Sequence, residues 1–483
     1  MSMSTAGRLC VWTAGGTRSV LLAFVLLFCA AAPNRLAAQA GQSQTGSSQP
    51  SELRPTYPGE PFNNPPLETT IGPAKLRLYG TALLNMSFSD TVQIGQDVPL
   101  WPSSGATVTL PDGTTKPTGK IHDTIFTARQ SILGVILNPA STSTSGWIPS
   151  AQVEIDFFGT RPVDNFLPQA RVLNQPRLRL AFFQLQKGDF KIVAGQDKII
   201  ISPLDPVSFS HVGVPLGYSA GDLFGWLPQL RFDYNHKFGN TSALFQIGVL
   251  RPAFGDPRLS DEPAASTALD TAASGFGERS GQPFYQARFA VSHPMSGSTA
   301  TIGAGAHYGS ELVGFVNSTS TDHKVDSWAF TLDFRVPIIS KVILRGEGYV
   351  GSNLVPFGGG VMQGVAAVAA PAPAPAGSLT LIRPIGDGGG WAELTFLATG
   401  RNVFYAGAST DDPKNSELLP GTGRQKNSFV WASYFRKITD SITLAAEWSN
   451  WQFHNINFVG NTPAGRGAFG RGNVINIGLA YQF

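Results

Sequence analysis

The chain has 483 residues, with 54 Gly, 35 Pro, 11% aromatic and only 14% charged residues, against about 25% charged in an ordinary soluble domain. At 42% hydrophobic it is not apolar enough for a bundle of membrane helices, and its two cysteines, Cys10 and Cys29, both precede residue 31, which argues against disulfide frameworks, Cys-rich zinc sites and thiol nucleophiles downstream. The formal charge is +3, but three of the 35 basic residues (Arg8, Arg18, Arg35) fall in the first 40 residues, which contain no acid. Removal of that segment leaves 32 basic against 32 acidic side chains and no electrostatic case for binding nucleic acid.

In chain order, Arg8 and Arg18 precede an apolar run from Val20 to Ala32, and Ala38-Gln39-Ala40 follows as a small-x-small site. This is the pattern of a secretory signal peptide over 1–40, too short to span a bilayer as a stable helix. Residues 41–74 are rich in Pro, Ser and Gln, with Pro55, Pro58, Pro61, Pro65 and Pro66. That composition buries too little surface to fold and reads as a periplasmic tail.

From residue 75 to 483 the chain reads as one transmembrane β-barrel. No run there has 18 uninterrupted apolar residues; instead segments alternate with period two. In the last of them Ile475, Ile477, Leu479, Tyr481 and Phe483 oppose Asn476, Gly478, Ala480 and Gln482, as in a strand between two environments. Short links such as Lys187-Gly188-Asp189 and Phe238-Gly239-Asn240 alternate with long ones at roughly 90–120, 160–176, 200–227, 252–281, 310–324, 352–388, 411–426 and 453–471. Short periplasmic turns against long external loops are the organisation of outer-membrane barrels. The expected fold is all-β: a sixteen-stranded antiparallel barrel, from a first strand near 75–90 to a last near 472–483. Its apolar face meets outer-membrane lipid and its polar face lines a lumen. Trp226, Trp328, Trp391, Trp431, Trp448 and Trp451 are candidates for aromatic girdles. The ending on Tyr481 and Phe483 resembles the terminal signal read by the barrel assembly machinery.

Each strand's alternation points Arg77, Arg129, Arg177, Arg179, Arg231, Lys237, Arg288, Arg335, Arg345 and Arg436 into the lumen, together with Glu154, Asp156, Asp233, Asp333, Glu347, Glu393 and Glu447. Arg and Lys rings favour anions; equally, Arg231 with Asp233 or Arg345 with Glu347 could brace the wall. The third external loop, 200–227, carries Val207, Phe209, Val212, Val214, Leu216 and Phe224. So apolar a loop is expected to fold inward as a constriction, with Asp205, His211 and Asp222 as eyelet groups. The competing arrangement packs it outward at a subunit interface.

Four pieces in order, Arg129-Gln130-Ser131, Val153-Glu154-Ile155-Asp156-Phe157-Phe158-Gly159, Pro176-Arg177-Leu178-Arg179-Leu180-Ala181-Phe182 and Ala194-Gly195-Gln196-Asp197, resemble the corresponding run in DcaP-type porins. The resemblance covers mainly 121–235. It implies a trimeric outer-membrane channel for small anionic solutes such as dicarboxylates. The chain departs from the family in having Ile132 where a second basic residue is usual, and a short Pro-rich stretch in place of an amino-terminal coiled coil.

No catalytic constellation stands out. The seven histidines lack metal-ligand spacing, and Gly358-Gly359-Gly360 and Gly388-Gly389-Gly390 lack the Lys-Ser/Thr of a phosphate cradle, reading as flexible backbone of an external loop. The expectation is a non-enzymatic porin without cofactor or metal, passing small hydrophilic solutes with mild anion preference. The alternatives are a structural or adhesive barrel without an open pore and a barrel-embedded hydrolase.

Overall fold

The computed structural model describes residues 67–103, 107–109, 112–117, 122–140, 146–159, 174–254, 275–313, 323–369 and 379–483. The expected signal peptide and tail lie outside these residues as far as residue 66. Period-two alternation becomes sixteen antiparallel staves, each paired to its chain neighbour. They are β1 (Ala74–Ser89), β2 (Asp123–Thr127 and Ile132–Pro139), β3 (Ile148–Gly159), β4 (Gln175–Lys187), β5 (Phe190–Lys198), β6 (Trp226–Phe238), β7 (Thr241–Leu250), β8 (Phe284–Met295), β9 (Ser298–Val313), β10 (His323–Ile339), β11 (Val342–Ser352), β12 (Gly386–Thr399), β13 (Asn402–Asp411), β14 (Arg424–Lys437), β15 (Ile442–Val459) and β16 (Thr462–Gln482). Closure comes from β1 against β16, in register from Thr81↔Gln482 to Ser89↔Val474, so no edge is left along this seam. Tight turns such as the one at Gly188, whose φ of 56° suits glycine, join the staves at one end.

The outer face is apolar. Phe330, Leu332, Ile475, Leu479 and Tyr481 are exposed, while Glu154, Asp156, Asp233, Asp333 and Asn476 on the opposite face are buried. This is the inverse of a soluble core, as a lipid-facing wall around a polar interior requires.

Four features differ from the expectation. Residues 453–471 are not an irregular loop: β15 and β16 run on to Val459 and back from Thr462 as one hairpin. Leu67–Ile71, in the stretch read as tail, is a strand paired to Ala74–Leu78. It lies on the side of β1 that β16 occupies further along. Trp391, Trp431 and Trp451 do not belong to a girdle; they are buried inside the barrel. Finally, Arg436 is not a lumen residue. On β14 the inward positions are Phe429, Trp431, Ser433 and Phe435, and Arg436 shares the outward face with Val430 and bonds Asn402. Here the interior is apolar because it packs on protein, so an apolar-outward rule reverses this strand.

Candidate functional site

The connection from β5 to β6, residues 199–225, folds into the barrel. Its apolar side chains give the reason. Val207, Phe209 and Val212 pack with Leu83, Ile132, Val403, Tyr405, Phe435, Ala445 and Ala480 of the wall. Leu216 and Ala220 pack with Trp391, Phe429, Trp431, Trp451 and Val474. Burying side chains of this size contributes about 1.5–3 kcal/mol each. Small inward residues make room: a Cβ at Gly478 would lie 2.8 Å from the Cβ of Phe209.

Polar bonds fix the path of the loop around the inner wall. Ile200 N–H donates to Gln286 of β8 (2.8 Å), and Thr331 of β10 donates to Ile201 O (2.7 Å). Glu347 of β11 accepts from Ser202 and from Leu204 N–H, and Glu393 of β12 from Val207 N–H at 3.0 Å. Glu447 of β15 accepts from Ser208 Oγ (2.6 Å), Phe209 N–H (2.6 Å) and Ser210 Oγ (2.7 Å). The circuit ends at the break in β2. There Ser131 Oγ accepts Leu83 N–H, which the interrupted ladder leaves free, and the bulge turns Gln130 inward. Gln130 donates to Ser210 O and accepts from Val212 and Gly213 N–H at 2.7 and 2.8 Å. The Arg-Gln-Ser run is thus a loop anchor.

Beside it stands a guanidinium stack. Arg129 and Arg177 lie over Phe158, and Arg177 and Arg179 over Trp226. Arg129 pairs with Asp97 (2.6 Å), Arg177 with Asp156 (2.6 Å), and Arg179 with Glu154 (2.6 Å) and Asp156 (3.1 Å). Arg177 also donates to Gly213 O and Arg179 to Val212 O. Cation–π and bidentate pairing together hold these heads in place.

Five other basic candidates are held by neighbours as well, while Lys237 lies exposed at the turn end of β6. Arg231 meets Asp197 (2.8 Å) and Asp233 (3.0 Å), Arg288 meets Asp333, and Arg77 meets Glu68. Arg335 donates to Ser298 and Thr299 O. Arg345 bonds Glu393 (2.9 Å) and Asp205 O, leaving Glu347 to the loop. The basic partner is usually the more exposed: Arg177 at 29% over Asp156 at 0%, Lys191 at 32% over Asp233 at 2%. The order reverses at Lys198–Asp205, Arg231–Asp197, Arg77–Glu68 and Lys75–Glu68, and at Lys426–Asp412 and Lys437–Asp440.

Of the three loop candidates, Asp205 is partly exposed and pairs with Lys198 at 2.7 Å. His211 and Asp222 are buried among wall side chains and form no open eyelet. Burial, reinforced by the Asp205 and Glu347 charges, raises the Asp222 carboxyl well above the usual range. Burial also pushes His211 down to about 4, although its bond to Pro99 O favours the proton. A displaced loop would titrate His211 near 6.5 and take up the proton first. His211 therefore favours docking fully above pH 6.5 and progressively less as pH falls to 4, by about 3 kcal/mol at the acid end. Wild type should lose loop protection in hydrogen exchange more steeply over that window than His211→Gln; parallel curves would refute the effect.

Gln130, Asp97, Phe158 and Lys198 also belong to this site, with no pattern in the sequence to mark them as members. Gln130 sits inside a recognised motif, but its partner is 80 residues away and carries no local signal.

No protein-family model matches the chain, and no curated protein matches it. Among solved structures, the outer membrane channel DcaP of Acinetobacter baumannii aligns with a TM-score of 0.56 at 13% identity, over 87% of this chain and 100% of that one. The anion-selective porin from Comamonas acidovorans aligns with a TM-score of 0.47 at 12% identity, over 85% and 100%. OmpT of Vibrio cholerae also gives 0.47 at 12% identity, over 86% and 100%. The likeness is one of fold. The chain has the sixteen-stranded barrel fold of outer-membrane channels, and a closed sheet with an apolar exterior places it in the bacterial outer membrane.

Proposed function

We propose that the protein is a porin, passing small hydrophilic solutes by diffusion with a mild preference for anions such as carboxylates. The observation that carries the preference is the layering of the inward ion pairs. Where Arg177 and Lys191 cover Asp156 and Asp233, the acid is buried against the wall and the base meets the water. Paired charges sum to zero, but a permeating ion feels the nearer one more strongly. We read the barrel as a homotrimer inserted by the assembly machinery through the Phe483 strand. The bonds of Phe483 N–H to Gly80 O (3.1 Å) and of Gly80 N–H to Phe483 O (2.9 Å) support a role for that strand in closing the seam.

A second reading is favoured by the inserted loop itself, which is bonded to wall strands on many sides: a structural barrel without an open pore. Planar-bilayer recording of the refolded protein in a KCl gradient separates the two. Stepwise currents with a reversal potential displaced toward chloride are expected. Folded protein that inserts without conducting would overturn the porin reading.

A further inference from the structure

Gly358-Gly359-Gly360 and Gly388-Gly389-Gly390, which read from sequence as slack backbone, meet at the outer end of the barrel around two carboxylates. Tyr349 of β11, Gly389 of β12 and Asp411 of β13 form one cross-strand row, and Asp387 stands two residues from Gly389 on the same face. The first glycine run lets the chain turn through left-handed conformations at Gly360, Val361 and Met362. Successive N–H groups in such a turn point to one side: Gly360 N–H donates to Asp387 Oδ2 (2.5 Å) and Val361 N–H to Asp411 Oδ2 (2.9 Å). The second run keeps the row open, since a Cβ at Gly389 would lie 2.6 Å from the Tyr349 hydroxyl.

Three oxygens then remain. Asp387 Oδ1, Asp411 Oδ1 and the Tyr349 hydroxyl are buried with no hydrogen-bond partner, and the phenol lies beside both carboxylates without bonding geometry to either. Asp387 and Asp411 are 6% and 0% exposed and form no ion pair among the described residues. Two adjacent buried carboxylates need a neutralising partner. Neighbouring oxygen-only donors suit a hard cation, with water completing its shell. Asp387 also borders a surface cavity of about 610 Å³ together with Ser352, Gly388 and Glu417.

We propose that Asp387, Asp411 and Tyr349 hold a calcium ion that pins the segment 354–363 to the mouth of the barrel. The claim is independent of the porin reading, because its test measures ion binding rather than current.

The test uses the full chain, refolded in detergent and stripped with EDTA, titrated with CaCl₂ by calorimetry and equilibrium dialysis. One site per chain is expected, with a Kd on the order of 10⁻⁴–10⁻³ M, and the melting temperature should rise with calcium. Asp387→Asn with Asp411→Asn should abolish both effects. Gly389→Ala, which keeps both carboxylates but sets a methyl group 2.6 Å from the Tyr349 hydroxyl and displaces it, should weaken binding at least several-fold. If the double variant does not fold, Tyr349→Phe serves in its place, with a several-fold higher Kd expected. No saturable binding in the millimolar range would overturn the site and leave a shared proton as the neutralising partner. Equal binding by wild type and the variants would also overturn it, by placing the ion elsewhere.

Discussion

Replacing Arg177 and Arg179 together with alanine is expected to shift the reversal potential toward cations and to lower stability. Their removal strips the cover from Asp156 and Glu154, which no longer have a counter-charge. Breaking a buried pair from one side costs about 3–5 kcal/mol, because the remaining charge is stranded. It also removes the donors to Val212 O and Gly213 O, so the end of the inserted loop loosens. Double lysine replacement keeps the charge but loses the planar fork, so selectivity should survive better than stability. Bilayer reversal potentials and urea midpoints of the two variants check this. An alanine variant with wild-type reversal potential would remove these arginines from any role in selectivity.

The second large effect is expected at Glu447, which accepts from Ser208, Phe209 and Ser210 in the middle of the loop. Glu447→Ala leaves several buried donors without an acceptor. Losing the bonds should cost about 3 kcal/mol or more, comparable to the apolar packing of one loop side chain. The wall itself keeps its ladder, so the barrel should still fold. The loop should leave its seat, with several-fold higher single-channel conductance and faster proteolysis between residues 204 and 216. Unchanged conductance with a demonstrably displaced loop would show that the loop does not limit flow.

Most staves were legible because lipid on one side and a polar interior on the other impose strict alternation, as in β16. The reading failed where that contrast disappears. On β14 and β15 the inserted loop supplies an apolar interior, so Trp431 and Trp451 turned inward and Arg436 outward. Loop insertion itself was visible in the density of Val207, Phe209 and Leu216. The Arg231–Asp233 pair lies within one strand and could be seen. Arg345–Glu393 crosses two strands and depends on a register that no local pattern states. The glycine runs were the least legible, because their meaning lies in each other's position.

A barrel wall is one sheet thick and resists flattening poorly. The loop residues that tie β8, β10, β11, β12, β15, β2 and β4 from within act as an internal hoop. Squeezing the cross-section into an ellipse would have to stretch those bonds together. The cross-section of this barrel is therefore expected to be held by its own brace.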